Sequence, residues 1–131
     1  MTLVVDASVI VAALVDSGVD GDWALDLLDG HALAAPHHMP IEAANILRRA
    51  SLAGDITPDT AALAHGDLLA LRVELFPYAP LAERCWQLRE NVTTYDAVYV
   101  ALAEQLDAPL ATLDQRLVAA TGPRCTFATP A

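Results

Sequence analysis

Lysine is absent from this 131-residue chain, and all seven of its fixed cationic side chains are arginines. A phosphate-binding P-loop needs a lysine, and a pyridoxal enzyme needs one for its Schiff base. Phospho-acceptor receiver domains, which also gather carboxylates at strand ends, use a lysine as well. The chain is therefore none of these proteins in its usual form.

Cysteine and long apolar runs are also scarce. The two cysteines, Cys85 and Cys125, favour free thiols in a reducing compartment over a disulfide. No run reaches the roughly 18 apolar residues that a membrane helix needs. The opening residues, MTLVVDASVI, contain no basic segment of the kind that begins a secretory signal. We therefore expect a cytoplasmic protein.

Positive charge is in short supply, because 17 acidic residues face seven arginines and the net charge is −10. This balance argues against a protein that holds nucleic acid by a broad basic face. It permits a basic partner protein or bound divalent cations. With 55% hydrophobic residues in 131 positions, the chain can build the core of one domain, which we predict to span residues 1–131.

Short apolar runs alternate with helical segments along the chain. We predict strands at residues 3–6, 31–36 and 72–78, within 108–114, and at 125–129. Predicted helices span 9–15 (capped by Ser8), 23–28, 40–53, 58–71, 80–90, 94–106 and 115–120. This alternation predicts an α/β fold, a three-layer α/β/α sandwich around a mainly parallel sheet of four to five strands. Ligands of such sheets bind beyond the carboxyl ends of the strands.

Four acidic residues stand where a strand gives way to a helix. Asp6 ends the first predicted strand and Asp114 follows the fourth, while Glu42 and Asp96 each lie in the first turn of a predicted helix. In a parallel sheet all of these points lie along one edge, so we expect the carboxylates to share a pocket. The alternative is purely structural, since an acid in a first turn stabilises a helix by about 0.3–1 kcal/mol and an aspartate after a strand often caps one.

Charge repulsion favours a metal ion in such a pocket. Two carboxylates about 5 Å apart repel each other by roughly 3 kcal/mol at an effective dielectric constant of 20. A divalent cation removes that cost, and oxygen ligands without cysteine or histidine are typical of Mg²⁺ or Mn²⁺. The site would also explain why Asp96 opens the apolar helical segment 97–103. Carboxylate-held Mg²⁺ is the usual apparatus of phosphodiester chemistry.

Four short motifs carry a resemblance to a known family. They are VVDAS at residues 4–8, EAAN at 42–45, YDAVYVALA at 95–103 and TLD at 112–114. In this order and spacing the chain resembles the PIN-domain ribonucleases, and more narrowly the VapC-type toxins of bacterial type II toxin–antitoxin systems. The resemblance covers almost the whole chain and implies a single PIN domain over residues 1–131.

The resemblance implies an endoribonuclease that depends on Mg²⁺ or Mn²⁺ and cleaves RNA, often at an exposed loop of a structured molecule. It also implies a homodimer and a cognate VapB-like antitoxin that inserts an arginine or a similar basic group into the acidic pocket. Asp6 and Asp96 are then the expected direct metal ligands and catalytic residues. Glu42 and Asp114 complete the site, directly or through water.

Four further residues are expected to support the site, each with a plain structural alternative. Ser8 hydrogen-bonds a metal-bound water or a phosphate, or else caps the following helix. Thr112 orients the acid two residues later, or is an ordinary strand residue. Asn45 steadies the acid one turn before it, or lies on the surface. Arg116 reaches the scissile phosphate, or forms a surface salt bridge.

Other functions remain open at this level. A catalytically silent PIN-like module would bind metal, RNA or a partner without cutting. A phosphatase for small phosphoesters would need a second aspartate at position 8, where Ser8 stands, and a lysine. The adjacent His37 and His38 lack the further ligands of a zinc site. The larger aromatic side chains, Tyr99 among them, are expected in the core or a dimer contact.

Overall fold

A computed structural model describes residues 1–131 and contains five strands and seven helices. The strands are β1 (Thr2–Val5), β2 (Ala32–Pro36), β3 (Val73–Phe76), β4 (Leu110–Ala111) and β5 (Phe127–Ala128). The helices are α1 (Ala7–Val15), α2 (Val19–Leu28), α3 (Met39–Ala53), α4 (Pro58–Ala70), α5 (Ala82–Gln87), α6 (Thr94–Leu106) and α7 (Gln115–Ala119). A 3-10 turn, Ala79–Leu81, precedes α5.

The five strands form one parallel sheet in the order β3-β2-β1-β4-β5. The chain moves outward from β1 to β3 and then returns to the other side of β1. Because crossovers between parallel strands are right-handed, α1 to α4 cover one face of the sheet and α5 to α7 the other. The predicted three-layer α/β/α sandwich is confirmed. The chain reverses between β1 and β4, and such a switch point is where open parallel sheets bind ligands.

The centre of the core is the contact between β1 and α6. Leu3, Val4 and Val5 of β1 are buried, as is every residue of α6 from Ala97 to Ala103. α6 packs against β1, β2 and β4 on one side and against α5 on the other. A helix enclosed in this way needs an apolar surface all round, which explains the composition of the segment.

Several element boundaries differ from the predicted ones. α1 begins at Ala7 because Asp6, not Ser8, is its N-cap and accepts a hydrogen bond from the Val9 N–H. α2 begins four residues earlier than predicted, with Asp20 and Asp22 in a first turn where the helix dipole favours acids. The predicted helix 80–90 is divided into the 3-10 turn and the short α5.

Both cysteines are free, as predicted: Cys85 is buried and Cys125 is half-buried. None of the helices combines the length and the apolar composition that crossing a membrane requires.

An ion pair that is largely shielded from solvent joins α5, α6 and the segment before β5. Arg84 donates from Nε and Nη2 to the carboxylate of Glu104, at 2.7 and 3.1 Å, and from Nη2 to the carbonyl of Gly122 at 2.9 Å. The backbone N–H of Arg124 donates to the same carboxylate at 2.7 Å. Burial raises the pKa of Glu104, but the hydrogen bonds from Arg84 and Arg124 outweigh it, so the pKa lies below its usual value.

We expect Glu104→Gln to lower the free energy of unfolding by about 1–2 kcal/mol near neutral pH, since it removes a charge-assisted pair and leaves Arg84 without its partner. Because folding lowers the pKa of Glu104, its contribution is present above the unfolded value of 4.5 and is lost as the pH falls through the lower folded value. Urea unfolding of both proteins from about pH 7 to about pH 3 measures the difference, which should shrink on acidification.

Glu90→Gln is the matched control. Glu90 lies three residues after the end of α5, is exposed and forms no ion pair. A difference between wild type and Glu104→Gln that stays constant with pH would contradict the assignment.

Candidate active site

All four predicted acids line one pocket at the switch point of the sheet. The pocket has a volume of about 150 Å³, and its walls are Asp6, Ala7, Ser8, Glu42, Ile46, Asp96 and Asp114. Asp6 and Asp114 directly follow β1 and β4, the strands on either side of the switch point. Glu42 and Asp96 arrive from the first turns of α3 and α6. The structure thus brings together side chains that are up to 108 positions apart in sequence (114 minus 6).

Asp6 is fixed by a dense set of hydrogen bonds. Its Oδ1 accepts from the Ser8 hydroxyl at 2.5 Å and from the Val9 N–H at 3.1 Å. The side chain is almost enclosed, with 8% of the residue exposed. Burial raises the pKa of Asp6, although the hydrogen bonds from Ser8, Thr112 and Val9 partly oppose the rise. The carboxylate is therefore held in one orientation at an energetic cost to its charged form.

Ser8 and Thr112 tie the ends of β1 and β4 together. The Ser8 hydroxyl donates to Asp6 and accepts from the backbone N–H of Leu113 at 3.2 Å. Thr112 is fully buried, and its Oγ1 accepts from the backbone N–H of Asp114 at 3.0 Å. The structural alternative considered for Ser8, a helix cap, is wrong. The Ser8 hydroxyl donates its proton to Asp6, and its oxygen accepts from the Leu113 N–H. Ser8 therefore positions Asp6 and the end of β4.

The two carboxylate oxygens of Asp114 differ in their contacts. Its Oδ1 caps α7 by accepting from the backbone N–H groups of Arg116 and Leu117, at 3.0 and 3.4 Å. Its Oδ2 makes no hydrogen bond within the protein. The Arg116 side chain is exposed and forms no ion pair, so the surface salt bridge considered as its alternative role is not found.

Glu42 is held in place by Tyr99 and His38, not by Asn45 as expected. Its Oε1 accepts from the Tyr99 hydroxyl at 2.6 Å and lies 3.0 Å from His38 Nε2. Burial raises the pKa of Glu42, but the hydrogen bonds from His38 and Tyr99 outweigh it and lower the pKa overall. Asn45, expected to steady Glu42, is exposed and does not contact it, because its position on α3 points to solvent.

Tyr99 and His38 are the residues contacting the candidate site that sequence reasoning missed. Tyr99 was expected as a core or dimer contact, and its ring is indeed buried in α6. A buried hydroxyl needs a hydrogen-bond partner, which was an available signal that this ring ends at a polar site. His38 and Glu42 are four residues apart, the spacing at which helical side chains meet. The His38 ring also packs 5.1 Å from the Tyr99 ring, measured between centroids.

Asp96 lies among other negative charges of the pocket. Its backbone N–H donates to Thr93 Oγ1 at 3.2 Å. Burial raises the pKa of Asp96, and the negative charges of Asp114 and Glu42 raise it further, while the Thr93 side chain and the nearby His38 partly oppose the rise. A cation bound beside Asp96 would stabilise its ionised form.

The donor set suits a hard divalent cation that keeps part of its water shell. The pocket offers carboxylate oxygens and the Ser8 hydroxyl, with no fixed cation in its lining. No three acidic, histidine or cysteine side chains stand at the mutual distances that direct ligation of one ion requires. Mg²⁺ commonly binds through one or two carboxylates and retains several waters. The arrangement fits such an ion, with the remaining acids contacting it through water.

The chain is similar to known proteins in sequence and in fold. The family model of the PIN domain matches residues 3–122. Ribonuclease VapC1 of Mycobacterium tuberculosis is 45% identical over 123 residues, which cover 93% of this chain and 92% of that protein.

Two solved structures share the fold. One is VapC20 of Mycobacterium tuberculosis, a Sarcin-Ricin loop cleaving toxin, with 18% identity, a TM-score of 0.68, and coverage of 89% of this chain and 93% of that one. The other is VapBC2 from Rickettsia felis bound to a DNA fragment from its promoter, with 14% identity, a TM-score of 0.72 and full coverage of both chains.

We expect Asp96→Asn to raise the free energy of unfolding of the metal-free protein by roughly 0.5–2 kcal/mol near pH 7. Folding raises the pKa of Asp96, so wild-type stability is lost as the pH rises through the folded value, and the amide variant escapes this loss. Chemical unfolding in EDTA between about pH 4 and about pH 8 measures the difference, which should shrink as the pH falls.

Asp59→Asn is the matched control. Asp59 also lies in the first turn of a helix capped by a threonine, but it is exposed and outside the pocket. Its charge favours the helix dipole, so its removal should slightly destabilise the protein. A loss of stability in Asp96→Asn would argue that Asp96 is only a helix-capping acid.

Proposed function

Because this chain belongs to the PIN-domain family, and within it to the VapC ribonucleases, we propose that it is a metal-dependent endoribonuclease and the toxin of a toxin–antitoxin pair. The observation that carries the proposal is the pocket shared by Asp6, Glu42, Asp96 and Asp114. It lies where parallel sheets bind ligands, and two of its acids have raised pKa values that a bound cation would reverse.

Asp6 and Asp96 are the proposed direct ligands of Mg²⁺ or Mn²⁺. Asp6 is oriented by Ser8 and Val9, and the raised pKa of Asp96 reflects burial and neighbouring negative charge, which a cation would offset. Glu42 and Asp114 complete the site, directly or through water, each with one oxygen already engaged within the protein. When bound, such an ion supplies an activated water and offsets negative charge on the phosphate.

The remaining residues position the acids or approach the substrate. Tyr99 and His38 hold Glu42 in place, and Ser8 keeps Asp6 in register with β4. Arg116 follows Asp114 by two positions, and its unpaired guanidinium is proposed to contact the scissile phosphate. An acidic chain can accept RNA at this point because the loaded pocket is less negative than the empty one.

The proposed partner is a VapB-like antitoxin with a basic segment. The net charge of −10 favours a basic partner, and the pocket is a receptor for an arginine or a similar group. A homodimer is proposed as well. α3 and α4 expose several large apolar side chains, which a second copy would cover: Ile41, Leu52, Leu63 and Leu69.

The decisive test is cleavage by protein freed of antitoxin. Total small RNA is incubated with wild-type protein in Mg²⁺, in Mn²⁺ and in EDTA, and fragments are resolved on a gel. Discrete fragments are expected only with metal. Asp96→Asn should reduce the rate at least about 100-fold because it removes a proposed direct ligand.

Asp59→Asn controls for the loss of a first-turn acid and should cleave like wild type. A folded Asp96→Asn protein with full activity would refute the site assignment. Metal binding by wild type with no cleavage of any RNA would instead identify a catalytically silent binding module.

Metal binding should also stabilise the fold through the same acids. A saturating concentration, about 100 times the dissociation constant, should stabilise wild type by about 2.7 kcal/mol. Asp6→Asn should gain much less, since it lacks a proposed ligand. Thermal melts with Mg²⁺, with Mn²⁺ and with EDTA measure the effect, with Asp59→Asn again as the control. Equal shifts in wild type and Asp6→Asn would place the ion elsewhere.

A further inference from the structure

A second and larger pocket opens beside the acidic one. Its volume is about 450 Å³, and its walls include His37, His38, Phe76, Tyr78 and Tyr95. These residues end or follow β2 and β3, or lie in the first turn of α6, so the pocket lies at the same edge of the sheet as the four acids. None of the roles proposed so far uses it.

His38 stands between the two pockets, because it lines the larger one and contacts Glu42, which lines the acidic one. His38 Nε2 lies 3.0 Å from Glu42 Oε1, on the acidic side, and 3.2 Å from the carbonyl oxygen of Tyr95. Its ring centroid is 6.1 Å from that of Tyr95, inside the larger pocket. Tyr95 is also the residue before Asp96, so a ligand in the larger pocket lies within a short reach of the acids.

Aromatic rings make up most of the lining of this pocket. The lining contains no aspartate, glutamate or arginine, although the chain as a whole has a net charge of −10. Its histidines are the side chains there that can become positively charged, and the hydrogen bond with Glu42 raises the pKa of His38. Tyr95 is 68% exposed and Tyr78 is 47% exposed, so both side chains are accessible to a ligand. Unpaired RNA bases are neutral and flat, and proteins bind them by stacking on tyrosine, phenylalanine and histidine. The volume lies in the range of small-molecule sites.

We propose that this pocket receives an unpaired nucleobase of the RNA substrate, from a nucleotide adjacent to the scissile phosphate. The inference rests on the proposed nuclease function. The phosphate would lie over the four acids once a cation is bound, and the flat, uncharged base would lie among the aromatic rings of the larger pocket, on the other side of His38. Tyr95 and Tyr78 are then specificity-determining residues, because a stacked base fixes which phosphate faces Asp96.

The test compares cleavage of a random single-stranded RNA pool by wild type, Tyr95→Ala and Tyr78→Ala, with cut positions read by sequencing. Each alanine variant should raise KM about 5- to 150-fold, the loss expected for one stacked base, with little change in kcat. The base preference beside the cut should flatten. Tyr95→Phe should keep the wild-type values because it keeps the ring.

Trp86→Ala is the control for removing an exposed aromatic ring. Trp86 is 65% exposed on α5 and lines neither pocket, so its loss should leave KM and base preference unchanged. Unchanged KM and base preference in both tyrosine variants would overturn the proposal. So would a weakened antitoxin complex with unchanged RNA kinetics, since the pocket would then hold an antitoxin side chain.

A second measurement separates this inference from the nuclease assignment. If wild type cleaves no RNA, binding of AMP, GMP, CMP and UMP to wild type and to Tyr95→Ala is followed by NMR line broadening. Binding to wild type that Tyr95→Ala loses would support the base pocket while the nuclease function fails. No binding of any nucleotide to wild type would overturn the pocket as well.

Discussion

The hydroxyl of Ser8 makes the contact on which the site depends. It donates to Asp6 at the end of β1 and accepts from the backbone N–H of Leu113 beyond β4. These strand ends flank the switch point of the sheet, where no crossover helix joins them directly. The Ser8 side chain therefore orients the first acid and adds a link between two strand ends that the backbone bond from the Asp6 N–H to the Ala111 carbonyl already joins. The packing of α6 over β1 and β4 then fixes where Asp96 enters.

Concentrating charge at this point opposes folding, and the rest of the molecule offsets that cost. Burial and neighbouring charges raise the pKa values of Asp6 and Asp96, so their ionised forms are less stable in the native state than in the unfolded chain. The enclosed segment from Ala97 to Ala103 supplies apolar burial immediately beside the charges. Glu42 receives enough hydrogen bonding, from His38 and Tyr99, to lower its pKa despite burial. Such stored repulsion is typical of sites whose function requires a bound cation.

Sequence reasoning succeeded where the signal was local. The bounds of α6 were predicted to the residue, because Thr93 caps it and the apolar run is continuous. The meeting of the four acids followed from the geometry of parallel sheets. The failures concern contacts between distant segments. The Ser8 bond to Leu113 spans 105 positions, and the Tyr99 bond to Glu42 spans 57. No periodicity encodes such pairs, so Ser8 was interpreted as a cap or a substrate contact and Tyr99 as a core or dimer contact.

An acidic protein that acts on RNA cannot rely on a basic face, and the arrangement of the two pockets offers another route. In the proposed mechanism, phosphate binding is confined to one point where a cation and Arg116 would offset the acids. The neighbouring aromatic pocket would contribute affinity through stacking, which is less sensitive than phosphate contacts to screening by salt. Such an enzyme would gain little binding affinity from long duplex RNA, because the bases are stacked inside the helix and cannot enter the aromatic pocket. It favours a splayed base beside an accessible phosphate, which single-stranded loops provide. Selectivity for loops would then follow from the two pockets and from His38 between them.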